Sequence, residues 1–146
     1  MSVDVITETE IERPAAVVAA YAGDPANAPT WYVNIKSAVW KTAPPIAVGS
    51  RIAFVAHFLG RKLEYTYEVV ELVPDRKLVM RTAQGPFPME TTYAWEPVTE
   101  KRAKMTLRNH GAPSGFSKVF APLMATMMKR AMKNDLARLK ALLERE

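Results

Sequence analysis

Tight turns set between stretches of strand-like alternation constrain this chain more than any other feature. Gly60-Arg61 separates Arg51–Leu59 from Lys62–Val73. Pro74-Asp75-Arg76 separates that stretch from Lys77–Thr82, and Gly85-Pro86 precedes Met89–Pro97. These residues have turn chemistry: glycine reaches positive φ, proline presets φ, and aspartate bonds nearby backbone. Parallel neighbours need crossovers of a dozen or more residues, so strands joined this closely must be antiparallel. Val3–Glu12, Ile35–Thr42 and Arg102–His110 read as further strands, giving a seven-stranded antiparallel sheet. A sheet of that width twists and cannot stay flat.

Helices are expected at two places. In Val3–Glu12, Val5, Thr7, Thr9 and Ile11 alternate with Asp4, Glu8, Glu10 and Glu12, the pattern of a half-buried strand. Arg13-Pro14 ends it, and Ala15–Ala22 follows as a short alanine-rich helix. Gly23-Asp24-Pro25 breaks that helix. Asp24 then caps a second short helix that has Pro25 at its first position and runs to about Trp31.

Beyond a loop at Gly111–Gly115, Phe116 to Glu144 has helical period. Its apolar stripe is read as Phe116, Phe120, Leu123, Met127, Leu136, Leu139 and Leu143. A helix from Phe116 to the last residue would reach ~46 Å, more than the ~40 Å expected across a domain of this size. Pro122 therefore kinks the helix or marks its true start, which leaves ~36 Å. One long helix with an apolar stripe and one sheet that must curl give an α+β domain, with the curved sheet wrapped around the C-terminal helix.

The chain of 146 residues suits one domain spanning 1–146. It has no cysteine, which excludes disulfides, thiolate metal sites and cysteine nucleophiles and permits a reducing cytoplasm. His57 and His110 lack the spacing of a zinc site, so neither metal nor cofactor is expected. The N-terminal MSVDVITETEIERP carries acids where a signal peptide needs a basic region and an apolar core. The longest apolar stretch, Val119–Met128, is about half of the ~20 residues of a membrane span. A soluble, cytoplasmic protein is expected. Net charge is +5 and the isoelectric point about 9.6. The densest cations, Lys129, Arg130, Lys133, Arg138, Lys140 and Arg145, share one amphipathic helix and read as a solvated face, not a nucleic-acid site.

The order of landmarks carries a resemblance. They are Ile11-Glu12-Arg13-Pro14-Ala15-Ala16-Val17-Val18, Gly23-Asp24-Pro25-Ala26-Asn27 with Trp31, and Val48-Gly49-Ser50-Arg51. Then come Tyr67-Glu68-Val69-Val70-Glu71-Leu72-Val73-Pro74, Tyr93-Ala94-Trp95-Glu96-Pro97 and Leu136-Ala137-Arg138-Leu139-Lys140. Together they resemble the START-related helix-grip superfamily (SRPBCC), in particular its polyketide cyclase/dehydrase-like proteins, over essentially the whole chain. The resemblance implies a helix-grip fold with a deep cavity between sheet and helix that holds an apolar small molecule. Members include lipid and sterol carriers, hormone receptors, aromatase/cyclases and co-chaperone or assembly factors. The fold therefore implies no single reaction, and no catalytic residue carries over by position.

Alternation supplies the candidate ligand-binding residues. Leu63, Tyr65, Tyr67 and Val69 oppose Lys62, Glu64, Thr66 and Glu68, so the tyrosines point inward. Met89, Thr91, Tyr93 and Trp95 are likewise inward, as are Leu78 and Met80, and Met105, Leu107 and Asn109. On Arg51–Leu59 both faces carry apolar residues. Ile52, Phe54, Ala56 and Phe58 form the purely apolar one and are placed inward, with His57 outside or at the rim.

The binding set is then Trp31, Phe54, Tyr65, Tyr67, Met80, Met89, Tyr93, Met105, Leu107, Asn109, Phe120, Met124 and Met127. Each has an ordinary alternative: core packing for the aromatics, and loop hydrogen bonding for Asn109. Met124, Met127, Met128 and Met132 form either a deformable pocket wall or plain core, with Met128 and Met132 alternatively on a dimer surface.

Signatures of hydrolase, nucleotide and dinucleotide sites are missing. Ser114 and Ser117 have no evident base apart from His110 nearby in sequence, and no paired carboxylates stand out inside. The leading function is binding of a hydrophobic small molecule by a monomer or weak homodimer. The alternatives are a polyketide cyclase/dehydratase-like enzyme, requiring an acid or base among His57, Tyr65, Tyr67 and Asn109, and a co-chaperone-like module with an exposed apolar patch on the last helix.

Overall fold

The computed structural model describes residues 3–58, 60–84, 88–111 and 121–145. Leu59, the turn at Gly85-Pro86, Ser114, Ser117 and the expected helix start with Phe116 and Phe120 lie outside the described residues. Seven strands form one sheet: β1 Val3–Ile11, β2 Ile35–Trp40, β3 Arg51–Phe58, β4 Arg61–Val73, β5 Lys77–Gln84, β6 Met89–Thr99 and β7 Arg102–Gly111. The order across the sheet is β1-β7-β6-β5-β4-β3-β2, and every neighbouring pair is antiparallel.

The turns work as their residues dictate. Gly60 has φ 73° between β3 and β4, and Asp75 has φ 62° between β4 and β5. Glycine and, less readily, aspartate accept this left-handed region. β4 needs one further device. Strict alternation from Val69 would turn Glu71 inward, but the register shifts between Val69 and Glu71. The bulge leaves Glu71 exposed and Leu72 packed against the core.

The first helix is α1, Ala15–Ala22. The expected second helix is split into a 3₁₀ turn, Pro25–Asn27, and α2, Ala28–Trp31. Asp24 Oδ1 accepts the Ala26 N–H at 3.0 Å and so caps the turn. The last helix, α3, is described from Ala121 to Glu144, or ~36 Å, and Pro122 lies in its first described turn. No helix among the described residues is long and apolar enough to cross a membrane.

The core lies between the concave face of the sheet and α3, closed at one end by α1 and α2. Ile11, Val18, Trp31, Ile52, Val69, Leu78, Met105, Leu107, Leu136 and Leu139 are fully buried, and each contributes roughly 1.5–3 kcal/mol of transfer free energy. The outer face is laced by cross-strand ion pairs such as Arg51–Glu68, Arg81–Glu90 and Arg108–Asp4.

The helix stripe differs from the one read in the sequence. Leu123 is 56% exposed and Met127 39%, whereas Met124, Met132, Leu136, Leu139 and Leu143 are buried. Leu123 cannot share a face with Met132, nor Met127 with Leu136. Each pair is nine positions apart, which at about 100° per residue is roughly 900°, half a turn out of phase. The face that continues back from Leu143, Leu139 and Leu136 runs through Met132, Met128 and Met124.

Candidate functional site

A cavity of about 160 Å³ lies between the N-terminal half of α3 and strands β3 to β7. Its existence follows from how the helix is seated. α3 packs chiefly on β1, and there Leu136, Leu139 and Leu143 fill the space completely. Its N-terminal half lies over the other strands and presents Met124, Met128, Ala131 and Met132. The small Ala131 leaves room, and the methionines can adjust to what fills it.

The sheet contributes Phe54 and Ala56 from β3, Leu63, Tyr65 and Tyr67 from β4, and Met80 from β5. Met89, Thr91 and Tyr93 come from β6 and Asn109 from β7. The period-2 alternation of these strands is what brings their side chains to one face. Tyr32, Asn34 and Ile35, where α2 meets β2, close one side.

Of the residues read in the sequence, Phe54, Tyr65, Tyr67, Met80, Met89, Tyr93, Asn109 and Met124 are on the cavity wall. Four expected residues are elsewhere. Trp31, Met105 and Leu107 face inward but are completely covered. Trp31 stacks on Tyr32 and meets Tyr93 edge-on, while Met105 and Leu107 pair in register with Thr9 and Thr7 of β1, the strand on which α3 sits. Met127 points away for the phase reason given above. Phe120 lies outside the described residues. Met128, half-buried, and Met132, buried, are both on the cavity wall. His57 is exposed and paired with Lys62 in the sheet register, off the cavity.

The polar groups of the wall are clustered. The Tyr32 and Tyr93 hydroxyls are 2.7 Å apart. The Thr91 hydroxyl donates to Asn109 Oδ1, and Tyr67 stands in the same wall. Asn109 thus has a partner within the wall. Burial raises the proton affinity of all four tyrosines. Tyr67 is pushed up to about 12, Tyr32 well above its ordinary value, by burial first and by Tyr93 second. All four are neutral phenols at physiological pH.

Asp135 is the group that reading the sequence missed. It is 3% exposed and lines the cavity. Its Oδ1 accepts the Val33 N–H at 2.8 Å, and no described residue forms an ion pair with it. Desolvation raises its carboxyl from 3.8 to about 6, partly offset by the Val33 hydrogen bond and by Arg138. A signal existed: Asp135 is three residues after Met132 and four before Leu139, so an acid stands on the buried stripe itself. Tyr32 and Asn34 left no such signal, because they sit at a helix–strand junction without period. Among the described residues no group of acids or histidines could hold a metal ion.

Residues 2–144 match the family model described as polyketide cyclase/dehydrase and lipid transport. No curated protein matches. Among solved structures, a START superfamily protein from Mycobacterium smegmatis superposes with a TM-score of 0.84 at 13% identity, covering 97% of each chain. An aromatase/cyclase from a Streptomyces species gives 0.81 at 13% identity, over 99% of this chain and 95% of the other. A protein from Thermus thermophilus gives 0.78 at 20% identity over 94% of each chain. At these identities the structural likeness speaks for the fold.

Proposed function

Because the chain belongs to the polyketide cyclase/dehydrase and lipid transport family, we propose that it binds an apolar or aromatic small molecule in the cavity between the sheet and α3. The observation that carries this reading is the wall itself: aromatic and methionine side chains around a void, with hydrogen-bonding groups gathered on part of it. Ligand sites generally combine such an apolar lining with a few placed polar groups. The volume of about 160 Å³ compares with the ~150 Å³ apolar cavity that takes up benzene. A single ring fits as the wall stands, and a longer ligand enters by displacing Met124, Met128 or Met132 from their present rotamers.

Native mass spectrometry of freshly purified protein, beside its denatured mass, tests the reading. Extra mass that leaves on denaturation is expected, and its identity names the ligand. A bare native mass, together with a melting temperature that no hydrophobic ligand raises, would refute the proposal.

Asp135 favours one second reading, a cyclase- or dehydratase-like enzyme. A carboxyl titrating at about 6 is suited to take a proton near neutral pH, and the Tyr32–Tyr93 hydroxyl pair stands in the same wall as a donor. On this reading the acid and base are Asp135 and these tyrosines, not the exposed His57. Turnover of a polyketide-like substrate that survives Asp135→Asn unchanged would exclude it.

A further inference from the structure

We infer that Asp135 is a ligand anchor, and that the cavity selects an aromatic or apolar ring carrying a protonated amine. The inference rests on the binding reading above and specifies its ligand class. Asp135 is almost completely buried yet faces a void. Its carboxylate has acceptor positions for about four donors, but among the described residues it accepts one hydrogen bond, at Oδ1 from Val33. The groups near it compensate an anion only in part. Tyr32, Tyr67 and Tyr93, on the α2–β2 junction and the sheet, are neutral. Arg138, on the same helix, attracts the carboxylate from a distance but makes no ion pair with it. Elsewhere in the wall the lining is largely apolar, Thr91 and Asn109 are paired with each other, and Asn34 is a second polar side chain but carries no charge.

A buried anion without a counter-charge is costly, and a cation seated against it relieves that cost. The ammonium also has three donors to distribute. Asp135 can take one, and the hydroxyl oxygens of the Tyr32–Tyr93 pair keep lone pairs for another. The ring then occupies the apolar remainder between Phe54, Met80, Met89 and Met128.

The test compares benzylamine with toluene, a neutral probe of nearly the same shape, by isothermal titration calorimetry on protein freed of co-purified ligand. Benzylamine is expected to bind about tenfold or more tightly than toluene at pH 7.5, a typical gain for a charge-assisted hydrogen bond out of water. Because Asp135 titrates at about 6, benzylamine affinity should fall about tenfold between pH 7.5 and pH 5 as the carboxylate is protonated, while toluene affinity stays level. Asp135→Asn should abolish both the preference and the pH dependence. The wild-type pH profile stands independently of how that variant folds. Toluene binding with no preference for benzylamine, or a preference that is as large at pH 5 as at pH 7.5 or that persists in Asp135→Asn, overturns the anchor and leaves the binding reading in place. Binding of neither probe overturns both.

Discussion

Replacing Asp135 with asparagine should make the protein more stable at neutral and alkaline pH, although it alters a buried, hydrogen-bonded residue. Asparagine has nearly the same shape, and its Oδ1 can still accept the Val33 N–H. What disappears is the charge. The carboxyl ionises at about 6 in the folded chain and at 3.8 without its surroundings. Its folded value is raised, so the folded state holds the proton more tightly than the unfolded state. Stability therefore falls as pH rises from about 4 through about 6, and the full cost is present above that window. At 1.36 kcal/mol per tenfold of proton affinity the cost approaches ~3 kcal/mol at pH 8 and is ~0.5 kcal/mol at pH 4. The advantage of Asp135→Asn over wild type should accordingly grow by roughly 2 kcal/mol between these pH values. That corresponds to ~4–8 °C in melting temperature for a chain of this size. Urea unfolding of ligand-free protein, followed by tryptophan fluorescence across this pH range, measures it, and other carboxylates cancel in the difference between the two proteins. An advantage that is constant with pH, or a loss of stability at pH 8, would refute the argument that desolvation of this carboxylate dominates.

Leu139→Ala removes a fully buried side chain where α3 sits on the sheet, and denaturant unfolding should show a loss of about 2–5 kcal/mol. Tyr93→Phe deletes the 2.7 Å hydroxyl contact with Tyr32 without changing ring packing, and should cost about 0.5–1.5 kcal/mol in the same assay. Met127→Lys, on the exposed face of α3 beside Leu123, should change stability by no more than about 0.5 kcal/mol. If sedimentation shows a concentration-dependent dimer for wild type, this variant should weaken it, and an unaltered dimer would place the contact elsewhere.

Much of this fold could be read before the structure. The strand alternation of Leu63, Tyr65 and Tyr67, and of Met89, Thr91 and Tyr93, assigned each side chain to a face, because the period of a strand is two and one charged neighbour settles the phase. The face of β3 was less distinct in sequence, since Val55 opposes Phe54. The structure turns Ile52, Phe54 and Ala56 inward, in register with Tyr67, Tyr65 and Leu63, as expected for the wholly apolar face. The helix was harder. Leu123 and Met127 look as apolar as Met124 and Met128, and choosing between stripes a fraction of a turn apart requires knowing where the helix is seated.

Local composition thus determined the elements, their antiparallel order and the inward set of the sheet, because turns and alternation act between near neighbours. The cavity itself depended on contacts distant in sequence. α3 closes chiefly on β1 and leaves a void beneath its N-terminal half, so that Met105 and Leu107 are covered while Tyr65 and Met80 border the void. Asp135 meets Val33 across 102 positions of chain. No local pattern announces that pairing, and the proton affinity of the carboxylate follows from the burial that only the packed chain imposes.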